Sequence, residues 1–273
     1  MSSHLTTPGE SAGFAFESMT GCDLSLPRDK FMPYHTVEEI IEHLDTAVER
    51  GDLSEARWLP GRLVQAVIND KIERPSLFHV EEVEHATGMA IGFYAGTLSI
   101  GGLRDYFATL GQDDDFMYSY VKKMNDSATR EGTEPRNCEA TANLIMQRAD
   151  REPDVLAIPL AGGGVVAGIQ TLLYYRAVSG SADSVVYPVR FSHYKSGDPL
   201  PHVTQAETEH LRSLVGDGLR PVIINEDTAK GTSLRIARQF FGDMFGRNVE
   251  AVYCHDVTRG FGSSSPTAGI VRY

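Results

Sequence analysis

The 273-residue sequence predicts an α/β protein: a parallel sheet flanked by helices, preceded by a mainly helical N-terminal region. Two observations lead there. In the C-terminal half, the short apolar runs "DVLAIPL", "SVVYPVRF", "PVII" and "NVEAVYCHDV" alternate with stretches of helical length, the pattern of a parallel sheet covered on both faces. In the N-terminal half, apolar residues recur at helical spacing and no strand stands out. The polar segment "SATREGTEPR" separates the two, so the chain divides into a helical region, 1–135, and an α/β domain, 136–273. No internal repeat is visible.

The elements follow in order. The first thirty or so residues, rich in Ser, Thr, Gly and Pro, read as an irregular arm. In "TVEEIIEHLDTAVERG", Thr36 and Glu39 form a capping-box pattern, Val37, Ile40, Ile41, Leu44 and Val48 make one apolar stripe, and Gly51 suits the stop. "SEARWLPGRLVQAVIND" is a second helix with a break expected at Pro60 and Gly61. "HVEEVEHATGMAIGFYAGTLSIGGLRDYFATLG" holds one or two more, with Gly101 and Gly102 as the joint, and "DFMYSYVKKMNDSATRE" reads as helical. The helix "NCEATANLIMQRAD" then opens the second half. After it, strands alternate with the helices "VVAGIQTLLYYRAV", "TQAETEHLRSLVGD" and "LRIARQFFGDMF".

Composition excludes several functions. A 41 % hydrophobic content supports a sizeable core. A net charge of −12 with scattered Lys and Arg argues against nucleic acid as a partner, and means an anionic substrate needs locally placed donors. Cys22, Cys138 and Cys254 are far apart and form no CxxC, so they read as reduced thiols rather than a zinc ribbon or disulfide framework. No apolar run reaches the roughly 18 residues of a membrane span, and "MSSHLTTPGESAG" lacks signal-peptide order; a cytoplasmic protein without a membrane partner is expected. The pairs Glu82/His85 and Glu207/His210 read as solvated helix faces, not metal ligands. HExxH, GxSxG and GxxxxGK[ST] are absent.

In a parallel sheet, ligands sit beyond the carboxyl ends of the strands. Three turns fall there: 161–164, 191–202 and 225–233. The last opens with polar residues, Asn225, Glu226 and Asp227, at the tip of a buried strand, an unfavourable place for carboxylates unless a ligand uses them. Thr228, Ala229, Lys230, Gly231, Thr232 and Ser233 follow: small residues, hydroxyls and a cation before a helix, suited to a phosphate.

The stretch "VIINEDTAKGTSL" resembles the signature of the type I phosphoribosyltransferases. Aligned without a gap on Gly231, the family's acidic pair falls on Asn225 and Glu226; shifted by one residue, it falls on Glu226 and Asp227. Lys230 stands where Thr is usual. "DVLAIPLAGGGVVAG" occupies the place of the family's pyrophosphate loop, with Ala161, Gly162, Gly163 and Gly164. "YPVRFSHYKSGDPLPHV" occupies that of its mobile loop, with Arg190, Ser192, His193, Tyr194 and Lys195. The order holds over 154–273, and the first half carries no motif of the family.

The resemblance implies a phosphoribosyltransferase-like fold and a donor, phosphoribosyl pyrophosphate with Mg²⁺. A nitrogenous base would join C1 of ribose 5-phosphate with release of pyrophosphate, or the reverse. Glu226 and Asp227 would act catalytically on the ribose and hold the metal, directly or through water. The three loops would bind the donor, with 191–202 closing as a lid. The helical half would form the hood over the acceptor, with Phe93, Tyr94 and Tyr118 as stacking candidates. A homodimer is compatible with this. Two alternatives stay open: a non-catalytic regulator binding the same donor, and an NAD(P)-dependent oxidoreductase, for which Gly162 to Ala167, "GGGVVA", satisfies G-x-G-x-x-A.

Overall fold

The Thr36 side chain caps the first long helix as its spacing predicts: its hydroxyl accepts from the Glu39 N–H while Glu39 returns a bond to the Thr36 N–H. The computed structural model describes residues 34–74, 80–110, 116–118, 120–122, 131–148, 153–161, 163–193, 197–228, 230–259 and 265–271. Helices α1 (Val37–Glu49), α2 (Leu53–Glu73), α3 (Val80–Tyr94) and α4 (Ile100–Leu110) make up most of the described N-terminal part. Between Glu134 and the end come α5 (Pro135–Met146), β3 (Val155–Pro159), α6 (Gly164–Ser179), β4 (Val185–Val186), α7 (Gln205–Gly216), β5 (Arg220–Thr228), α8 (Thr232–Phe245), β6 (Glu250–Asp256) and β7 (Gly269–Ile270).

The expected α/β architecture is present. A five-stranded sheet runs in the order β4-β3-β5-β6-β7, parallel except for the edge strand β7. Helices α5 and α6 cover one face, and α7 and α8 pack beside the other. The apolar cluster is continuous from Val37 of α1 to Cys254 of β6. Among the described residues, no helix is long and apolar enough to cross a membrane.

Four local expectations are corrected. Helix α2 runs straight through Pro60. The lost backbone bond is outweighed by packing: a Cβ on Gly61 would lie 2.4 Å from Val166 Cγ2, so this turn sits directly on α6. Gly101 and Gly102 lie inside α4; the joint is residues 95–99, where Gly96 adopts φ 70°. Instead of a helix, Tyr120–Lys122 is a strand, β2, paired antiparallel with β1 (Tyr34–Thr36). Glu207 is not on a solvated face. It is buried and ion-paired with Lys71 of α2, while its helix partner His210 bonds Glu84 at 2.8 Å.

Candidate functional site

The sheet order places a topological switch point between β3 and β5. The chain leaves β3 for β4 on one side and returns to β5 on the other, so the loops after β3 and β5 diverge at the place where such sheets bind ligands. Main-chain bonds hold the predicted turns side by side there. The Leu160 N–H donates to Ile224 O at 2.9 Å, and the Ala161 N–H to Val189 O at 2.8 Å. Thus Ala161, Arg190 and the tip of β5 share one edge. Gly162, Tyr194, Lys195 and Ala229 lie outside the described residues.

Strand β5 extends further than expected: Asn225, Glu226, Asp227 and Thr228 belong to it, with Asn225 opposite Tyr253 and Thr228 opposite Asp256. Pairing with β6 satisfies this backbone and fixes the alternation of side chains. Glu226 is only 3 % exposed. Its carboxylate points at the start of α6, where a Cβ on Gly164 would lie 3.3 Å from Glu226 Oε2. The positive end of α6 favours an anion in that position. Asn225 and Asp227 alternate with it and are half-buried; the Asn225 amide donates to Asp227 O at 2.6 Å.

Beyond the strand, Lys230 is exposed and Gly231 caps α8 with φ 66°. That conformation favours glycine, and here it turns the chain from the tip of β5 into the first turn of α8. Thr232 and Ser233 are half-buried in that first turn, and Arg235 donates to Thr232 Oγ1 at 3.3 Å.

The third turn is pinned at its base. Arg190 pairs with His202 in an antiparallel bridge. Asp198 then gathers the loop: its carboxylate accepts from the Ser192 N–H at 2.9 Å, lies 3.7 Å from Arg190 Nε and meets His202 Nε2 at 3.1 Å, while its carbonyl lies 3.4 Å from His193 Nδ1. Arg190 also donates to Asn69 of α2 at 3.1 Å.

Several contributors escaped sequence reasoning. Asn69 and Gln65, four apart on α2, reach Arg190 and the Ala161 carbonyl. Gly132 lies against the β5 backbone so closely that a Cβ there would be 1.9 Å from Glu226 O. His255, opposite Asp227 in register and 1 % exposed, bonds Thr267 Oγ1 at 2.8 Å. Thr267 also takes the Asp256 N–H and gives its own N–H to Asn137 of α5. Burial pushes the His255 imidazole below its usual pKa against the pull of Glu131 and Asp256. A glycine in a polar stretch was the only sequence signal for any of these. The stacking candidates Phe93 and Tyr94 are core residues, and Tyr118 is 59 % exposed.

Among the described residues, no group of three His, Cys, Asp or Glu is arranged to hold a metal. Glu226 and Asp227 were expected to hold a metal together, but successive strand residues point to opposite faces and Glu226 is turned against α6, so only Asp227 fits a Mg²⁺ carried mainly by ligand phosphates, which asks only one or two carboxylates of a protein. No family model, curated protein or solved structure matches the chain.

Proposed function

We propose that the protein is a type I phosphoribosyltransferase-like enzyme that uses phosphoribosyl pyrophosphate and a nitrogenous base. The observation that carries this is the juxtaposition at the switch point: a strand tip bearing Asn225, Glu226 and Asp227, followed by Gly231 in the left-handed region at the start of α8, beside the glycine turn after β3.

Each part has a task that its chemistry suits. The first N–H groups of α8, with the Thr232 and Ser233 hydroxyls and Lys230, would take the 5-phosphate. The Gly163 N–H and the positive end of α6 would face the pyrophosphate, stabilising charge that grows as the C1–O bond breaks. Asp227, half-buried at the strand tip, would bind the ribose hydroxyls and lower the energy of the cationic sugar. Glu226, inward against α6, would add negative potential beneath it. When bound, Mg²⁺ would neutralise pyrophosphate charge, with Asp227 as its nearest protein carboxylate. Anchoring both phosphates spends remote binding energy on placing C1.

The inward Glu226 favours one second reading, a regulator that binds the donor without turning it over. Calorimetric titration with phosphoribosyl pyrophosphate plus Mg²⁺, against NAD⁺ and NADP⁺, tests the shared donor site. Saturable donor binding lost in Gly231→Val supports it. Dinucleotide binding without donor binding would remove it.

A further inference from the structure

The outward face of α8 carries a groove that borders the strand-tip site at Thr232 and Leu200 and runs away from it along the helix. Its buried residues Leu234, Ala237 and Phe241 face the sheet, leaving the opposite side of a helix about 21 Å long. Two cavities lie along that side and share Arg235, Gln239 and Asp243. One, of about 470 Å³, adds Leu200, Ile236 and Phe240. The other, of about 940 Å³, adds Arg238, Arg247 and Asn248. The groove is therefore apolar and partly aromatic at one end and cationic at the other.

The charge is unusual for this chain. Acids outnumber bases overall, 37 to 25, yet three arginines and a single acid line the cationic end. That acid, Asp243, has both oxygens engaged by the Gln239 amide, at 2.9 and 3.0 Å. The negative end of α8 is also masked: Arg212 donates to the Met244 carbonyl at 3.0 Å, and Gly246 ends the helix with φ 63°. Planar guanidiniums bind phosphate oxygens in pairs, which lysine does not do. An apolar slot with Phe240 at its side suits a flat heteroaromatic ring.

We infer that this groove binds a nucleoside di- or triphosphate, its base between Leu200, Ile236 and Phe240 and its phosphates against Arg238 and Arg247. The bound base would touch Leu200, in the 191–202 loop, and Thr232, in the first turn of α8. The site does not depend on what the strand-tip loops bind.

Calorimetric titration of the full chain with ATP, GTP, CTP and UTP tests this, alongside pyrophosphate and inorganic phosphate. At least one nucleotide should bind saturably and at least tenfold more tightly than pyrophosphate. Arg238→Ser/Arg247→Ser should weaken it tenfold or more, and Phe240→Ser severalfold, with thermal unfolding checking that each variant is folded. Gly231→Val should leave it within threefold. No binding at millimolar nucleotide would overturn the inference. So would equal binding of inorganic phosphate, or binding abolished by Gly231→Val and retained in the double arginine variant.

Discussion

Lys71→Met removes the cation from the buried ion pair that ties α2 to α7. Lys71 and Glu207 are 3 % and 1 % exposed, so little water can replace the lost charge. Glu207 keeps the Tyr187 hydroxyl at 2.8 Å and the Thr204 N–H at 2.8 Å. Breaking a buried pair by removing one partner costs about 3–5 kcal/mol, and those two remaining bonds place this case near the lower end. At about 2–4 °C per kcal/mol for a chain approaching this size, Tm should fall by about 6–12 °C. Fluorescence of Trp58, the single tryptophan, buried on α2, reports unfolding at this helix. The pH dependence separates charge from packing. In the wild type, burial would raise the Glu207 pKa, but Lys71, Thr204 and Tyr187 together hold it below its usual value. The wild-type pair thus stabilises above the unfolded carboxyl pKa of about 4.3 and loses that contribution as pH falls through the lower folded value. In Lys71→Met, burial dominates and raises the folded value, so the penalty is full at pH 8 and shrinks towards pH 5. Adding Glu207→Gln to the variant should recover part of the loss at pH 8. A penalty under about 1 kcal/mol, or one independent of pH, would refute the assignment of this pair as a buried charged clamp.

Three further outcomes are expected. Gly132→Ala should destabilise by about 1–3 kcal/mol, because its Cβ would meet the Glu226 carbonyl; an unchanged denaturant midpoint would show that 131–134 does not press on β5. His255 has a lowered folded pKa, so the unfolded state takes up its proton first: stability should decline as pH falls below about 6.5, and His255→Gln should flatten that decline in a pH series of urea melts. Asp198→Ala should speed hydrogen exchange at Ser192 and His202, whose partners it removes or weakens; equal protection in mutant and wild type would mean that Asp198 does not hold the loop base.

The sheet was legible because four apolar runs alternated with helical periods, and the capping box at Thr36 set the start of α1. Pattern failed where tertiary contact outweighed local preference. Pro60 sits in an unbroken helix because Gly61 lets α2 settle on Val166. Tyr120–Lys122 pairs with β1, a partner far away in sequence that no local period reveals. The site was legible as three turns, since strand order alone brings them to one edge. Their environment was not. That Glu226 lies under Gly132 and beside Gly164, or that Asn69 reaches Arg190, depends on how the helical half docks.

Pyrophosphate release is the most direct test of the proposed function. The full chain is incubated with phosphoribosyl pyrophosphate, Mg²⁺ and a panel of purine and pyrimidine bases, beside Asp227→Asn. The wild type should release pyrophosphate in a base-dependent manner with at least one member of the panel. Asp227→Asn should do so at least tenfold more slowly, with donor affinity within threefold, because the carboxylate acts more on the cationic sugar than on the bound donor. Saturable donor binding with no base-dependent release by the wild type would contradict an enzymatic role. Unaltered turnover in Asp227→Asn would contradict the placement of the reacting sugar at the tip of β5.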